Sequence, residues 1–264
     1  MNIAGDSIMR RGGPTTAPPL ADVMARLKKA GSKSVVQGRF RYGIKAGETF
    51  GVSAPKLHAF AKVIGKNHRL AGQLWKTGIH DARLLAGLID DPSQVTEAQM
   101  ERWVRQFRSW DVCDNCCGVL FDKTTIARKK AMAWSRADAE YIKRAGFAMM
   151  AALAVHDKSA PDDEYLPFLE RIKEAADDDR NFVRKAVNWA LRQIGKRNIR
   201  LNARALEVAS ALTSAESSTA RWVGADALRE LRSDAVQQRL RKKETTPRLK
   251  SLLAKINHGD ARGL

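Results

Sequence analysis

Phe182-Val183-Arg184-Lys185-Ala186-Val187 sets cations ahead of small apolar residues, and the same opening returns at Asp81-Ala82-Arg83-Leu84-Leu85-Ala86, Ile142-Lys143-Arg144-Ala145-Gly146-Phe147-Ala148 and Ala220-Arg221-Trp222-Val223-Gly224-Ala225. The cysteine-bearing segment near 110–119 fills the gap between the first two copies. The period is then roughly 30 to 45 residues, the range of HEAT-like helix pairs. Small residues let helices stack closely, and the inner helices of such an array form a concave surface. The reading is all-α: a superhelix, or α-solenoid, of HEAT-like repeats with a concave basic groove. The alternative is an irregular bundle whose basic helices match by coincidence.

Outward from these copies the pattern is helix, short break, helix. Ala21 to Ala30 offers a first amphipathic helix, Ser53-Ala54-Pro55 resembles an N-cap with proline at an early helical position, and His80 to Ile89 is apolar at helical spacing. Breaks fall at Asp90-Asp91-Pro92-Ser93, His156 to Asp163, Asp177-Asp178-Asp179, Lys196 to Asn198 and Ser214 to Ser218. Arg39-Phe40-Arg41-Tyr42-Gly43-Ile44-Lys45-Ala46-Gly47 reads as a basic, aromatic, glycine-punctuated loop, either a phosphate contact or a plain connector. The expected organisation is a flexible extension over 1–20, a repeat domain over 21–240 and a basic tail over 241–264.

The composition narrows the partner. Lys and Arg number 47 against 29 Asp and Glu, a net charge of +18 spread along the chain instead of confined to one tail. Such a field favours a polyanion, and nucleic acid leads because no polybasic block abuts a long apolar run, as a membrane surface would need. A protein that is merely basic is the plain alternative. Cys113, Cys116 and Cys117 are too crowded to pair easily and lack partners for a zinc tetrahedron, so they read as packing residues in a reducing cytosol. No metal, cofactor or glycine-rich phosphate motif is expected. Without an apolar signal segment at its start, the chain is expected in the cytoplasm, on the nucleoid in a bacterium.

Two helical faces carry the chemistry. Trp110 and Asp114 stand four residues apart on one, while Lys185, Trp189, Arg192 and Lys196 line another. Trp75, Trp103, Trp134 and Trp222 read as packing, the histidines as surface or core residues. Arg83 and Arg221 could face the groove or brace neighbouring repeats. Taken alone, Asp114 reads more readily as an arginine's buried partner or a helix cap than as a catalytic group.

Phe50-Gly51-Val52-Ser53-Ala54-Pro55-Lys56-Leu57, Leu74-Trp75 with His80-Asp81-Ala82-Arg83-Leu84-Leu85-Ala86, Ser109-Trp110-Asp111-Val112-Cys113-Asp114, Lys143-Arg144-Ala145 and Arg184-Lys185-Ala186-Val187-Asn188-Trp189-Ala190-Leu191-Arg192 together resemble the DNA alkylation repair family, the AlkD-like alkylpurine DNA glycosylases. The resemblance covers about Ala21 to Arg232. It implies a superhelix that cradles duplex DNA and hydrolyses the N-glycosidic bond of purines alkylated at N3 or N7, without a cofactor or an obligate protein partner, as a monomer. The family's catalytic carboxylate falls on Asp114, its two flanking tryptophans on Trp110 and Trp189, and its active-site arginine on Arg144. Arg144, Lys185, Arg192 and Lys196, with Arg184 and Arg197, would neutralise phosphates. Asp111 and the three cysteines are not required by the motif and leave room for an altered substrate range.

Those residue types suit that chemistry. A purine alkylated at N3 or N7 already carries positive charge and leaves without a proton from the enzyme. The transition state needs only relief of the cation developing on the sugar and a placed water, which one carboxylate can supply. Two indole faces would favour the cationic nucleotide by roughly 0.5–2 kcal/mol each. Two rivals share the basic face: a noncatalytic scaffold for branched, damaged or bent DNA, which could dispense with the carboxylate, and an adaptor for acidic peptides.

Overall fold

The computed structural model describes residues 18–44 and 47–245. The helices are α1 (Leu20–Ala30), α2 (Lys33–Arg41), α3 (Ala54–Ile64), α4 (His68–Lys76), α5 (His80–Ile89), α6 (Glu97–Val104), α7 (Trp110–Val119), α8 (Ala127–Trp134), α9 (Glu140–His156), α10 (Leu166–Glu174), α11 (Asn181–Gly195), α12 (Ile199–Thr213) and α13 (Ser218–Leu231). A further helix, α14, occupies 234–245. Short 3₁₀ turns at Phe121–Lys123 and Asp162–Tyr165 follow α7 and α9, and no strand occurs among the described residues.

From α4 onward the helices pair, and the second members form a row in which α5 packs on α7, α7 on α9, α9 on α11 and α11 on α13. The first members form an outer row. All four recurring openings lie in the inner row, with the cysteine helix α7 between the first two, as the spacing predicts. The two rows bury different amounts of surface. Outer α4 hides one stripe, Leu70, Ala71, Leu74 and Trp75, whereas inner α9 is buried continuously from Arg144 to Ala154 and is apolar nearly all round.

Local chemistry sets the boundaries. Asn67, Thr96, Asn198 and Ser217 each accept a hydrogen bond from a backbone N–H in the first turn of α4, α6, α12 and α13. Ser53 occupies the N-cap position of α3 with Pro55 in the first turn, although its hydroxyl makes no capping bond. Close stacking depends on Gly146, where a Cβ would lie 2.3 Å from the Ser135 backbone nitrogen of the preceding helix.

Two expectations are corrected. Arg39, Phe40 and Arg41 belong to α2, so the loop begins at Tyr42. The helix extends because Arg39 turns inward, its Nη2 donating to Asp81 Oδ1 at 2.8 Å and to the Val52 carbonyl at 2.9 Å. Trp222 is 40% exposed, with the Arg184 guanidinium over its ring, 5.2 Å from the centroid. Trp75, Trp103 and Trp134 are core residues, the first two stacked with centroids 3.9 Å apart. Cys113, Cys116 and Cys117 are fully buried free thiols, and burial pushes those of Cys116 and Cys117 well up. The expected extension and tail fall largely on 1–17 and 246–264, outside the described residues. Among the described residues no helix is long and apolar enough to cross a membrane.

Candidate functional site

The start of α7 and the middle of α11 face one cavity of about 520 Å³, lined by Arg41, Tyr42, Gly43, Trp110, Asp114, Arg144, Asn181, Phe182, Lys185 and Trp189. Helical periodicity does the gathering. Trp110 and Asp114 lie one turn apart on α7, and Phe182, Lys185 and Trp189 follow one another on a single face of α11. Arg144 projects from α9, which lies between those two helices.

Asp114 sits in the wall, its side chain 21% exposed, with both oxygens engaged by Arg144: Nε donates to Oδ1 at 2.9 Å and Nη2 to Oδ2 at 2.7 Å. Nη1 of the same guanidinium donates to the Phe182 carbonyl at 2.6 Å, and its carbon lies 6.0 Å from the Trp110 ring centroid. A two-oxygen acceptor geometry of this kind belongs to an ionised carboxylate. Burial nevertheless pushes the Asp114 carboxyl above the ordinary range, an effect that Arg144 opposes and nearby Asp111 adds to. For Arg144, burial works against the charge, but Asp114 outweighs it and holds the guanidinium up.

The remaining walls are pinned from behind. Trp110 Nε1 donates to the Tyr42 carbonyl at 3.0 Å, tying α7 to the residues after α2. Those residues are anchored by Asp81, a fully buried carboxylate that accepts from Arg39, the Thr49 hydroxyl at 2.8 Å and the backbone N–H groups of Phe50 and Val52 at 2.6 and 2.8 Å. Burial alone would raise the Asp81 pKa, but these donors bring it below the ordinary value. Asp111 faces His80 Nε2 at 2.8 Å and accepts from its own helix, so it supports the start of α7 without lining the cavity. No group of three or more His, Cys, Asp or Glu among the described residues is arranged to hold a metal ion.

The cations divide differently from expectation. Lys185 is exposed at the cavity. Arg144 is only 6% exposed and committed to Asp114 and Phe182, so it is not placed to neutralise a phosphate. Arg192 and Lys196 continue the face of Lys185 and Trp189, but both pair with Glu230 on α13. Arg184 covers Trp222, and Arg197 stacks 4.6 Å from the Tyr165 ring while donating to the Ala160 carbonyl at 2.8 Å. Arg83 braces two repeats, its guanidinium 5.2 Å from the Trp75 ring. Arg221 closes onto the carbonyls of Ala215 and Glu216. Most of the cations that open the inner helices therefore staple the stack.

Sequence reasoning missed Asn181 and Phe182 as cavity residues. The signal was present in the shared helical face of Phe182, Lys185 and Trp189, where Phe182 also stacks on Tyr141 with centroids 5.7 Å apart.

Comparison with known proteins bears on the fold and the family. The chain is 26% identical over 172 residues to an uncharacterised protein, Lmo0209, of Listeria monocytogenes serovar 1/2a, covering 65% of this chain and 72% of that one. Its fold is similar, with a TM-score of 0.70 and 22% identity over 84% of this chain and 95% of the other, to a solved structure described as a new family of proteins related to the HEAT-like repeat DNA glycosylases with affinity for branched DNA structures. The pattern of the DNA alkylation repair enzyme family matches residues 23–258, from within α1 to beyond the end of α14. A HEAT-like helical superhelix whose inner row brings Trp110, Asp114, Arg144 and Trp189 to one cavity thus belongs to the DNA alkylation repair enzyme family.

Proposed function

We propose that the chain binds duplex DNA and releases cationic N3- or N7-alkylated purines by hydrolysing their N-glycosidic bond. The observation that supports this most is a single carboxylate, Asp114, sharing a cavity wall with Trp110 and Trp189 while Lys185 stands at the opening. The departing base carries its own positive charge, so no general acid is needed. Asp114 offsets the positive charge developing on the sugar and accepts a hydrogen bond from the attacking water through a lone pair that Arg144 leaves free. Arg144 fixes the carboxylate's orientation, as a preorganised site requires. Lys185 contacts backbone phosphate and sets register without reading sequence.

The bidentate Arg144 clamp also favours a second reading. It cancels much of the carboxylate's charge, which suits a noncatalytic protein that holds damaged, bent or branched DNA, and the fold similarity is compatible with that role. Incubation with duplex DNA containing N7-methylguanine, followed by detection of free base and abasic sites, decides between them. Release above the spontaneous rate supports the glycosylase. Its absence from folded, DNA-binding protein, with a four-way junction bound more tightly than linear duplex, supports the scaffold.

A further inference from the structure

A second cleft, of about 690 Å³, lies between α4 and α6 and shares no residue with the cavity around Asp114. Its walls are two helical faces: Arg69, Gly72, Gln73 and Lys76 on α4, opposite Gln99, Arg102 and Trp103 on α6 with Gln106 just beyond it. Arg83 reaches in from α5 and His68 closes one end. No carboxylate is among the lining residues. Asp90, behind them, is fully buried and already engaged by His68 Nδ1 at 2.7 Å and Gln99 Nε2 at 2.6 Å.

Three of the cations here are unlike those of the inner helices. Arg69, Lys76 and Arg102 are exposed and have no acidic partner among the described residues, and the buried Nε of Arg83 has no hydrogen-bond partner there either. Arg83 meanwhile lies over Trp75 and donates to the Gln106 carbonyl at 3.2 Å, while Gln106 Oε1 accepts from Trp75 Nε1 at 2.8 Å. A guanidinium seated on an indole and flanked by exposed cations and amides fits a phosphate-bearing ligand.

We infer that the α4–α6 cleft is a second phosphate-backbone site, which holds a stretch of nucleic acid apart from the segment bound at Asp114. The inference rests on the reading of DNA as the partner. An acidic peptide fits less well because the cleft offers no apolar anchor: Trp75 and Trp103 are only 3% and 4% exposed.

The native thiols are buried, so Gln73→Cys supplies a selectively reactive site for a photocrosslinker in the full chain. The expected result is crosslinking to duplex DNA that is lost when Arg69, Lys76 and Arg102 are all changed to Gln. That triple variant should also lower the slope of log affinity against log salt by about 0.9 per phosphate contact removed. No crosslink from a protein that binds DNA, a crosslink indifferent to the triple substitution, or preferential capture of a poly-glutamate peptide at Gln73→Cys overturns the inference. Failure of the unmodified chain to bind DNA at all would instead remove the function proposed above.

Discussion

Asp114 is the residue on which the proposed chemistry turns. Asp114→Asn should lower base release by about 10² to 10³ while DNA affinity stays within a factor of two or so, since it removes a transition-state charge and no phosphate contact. Single-turnover release beside an anisotropy titration checks both. The same side chain sets a pH dependence. Burial raises its pKa, and the carboxylate is the working form, so release above the spontaneous rate should fall as pH drops through a midpoint above the ordinary aspartate value of about 3.9. A midpoint at or below that value would contradict the burial effect. The shared faces of Trp110 with Asp114 and of Lys185 with Trp189 were legible from helical spacing, whereas singling those residues out rested on the family resemblance. The Arg144 clamp was not, because only the stacking of α9 against α7 brings its guanidinium to Asp114.

At the scale of elements, the repeat was readable from small residues recurring behind a cation, and the inner row confirms it. The role of those cations was not readable, because nothing local distinguishes one facing a groove from one spanning two helices. Arg39 shows why: its helix is stabilised by Asp81, 42 positions away. Asp81→Ala should therefore cost about 3–5 kcal/mol, as a buried arginine is left without its counterion. Gly146→Ala should cost about 1–3 kcal/mol, because the added methyl meets the backbone of Ser135 and not a side chain that could move. Urea unfolding of both variants measures these losses. The depressed pKa of Asp81 acts in the opposite direction to that of Asp114. Its stabilisation is present above the unfolded value near pH 3.9 and is lost as pH falls through the lower folded value. Acid unfolding should therefore move to higher pH in Asp81→Ala if the rest of the stack is retained.

Across the whole molecule, a net charge of +18 implies binding that weakens steeply with salt. Lys185→Ala should flatten that dependence by about 0.9 in slope, whereas Arg192→Ala, whose partner is Glu230, should change it less and destabilise α11 against α13 instead. Equal slopes for Lys185→Ala and the unmodified chain would take Lys185 out of the DNA contact. The solenoid lends itself to such separable tests, since most ties reach only from one repeat to the next.

The hydrogen bond from Trp110 to Tyr42 spans 68 positions, farther along the chain than the neighbour-to-neighbour ties of the stack. It joins the residue after α2 to the start of α7 at the cavity rim, beside the Arg39–Asp81 pair that ties α2 to α5. Because Asp81 holds Arg39, Phe50 and Val52 independently of that bond, a nucleotide that displaced the indole would free the Tyr42 carbonyl at the cavity rim while α2 kept its hold on α5.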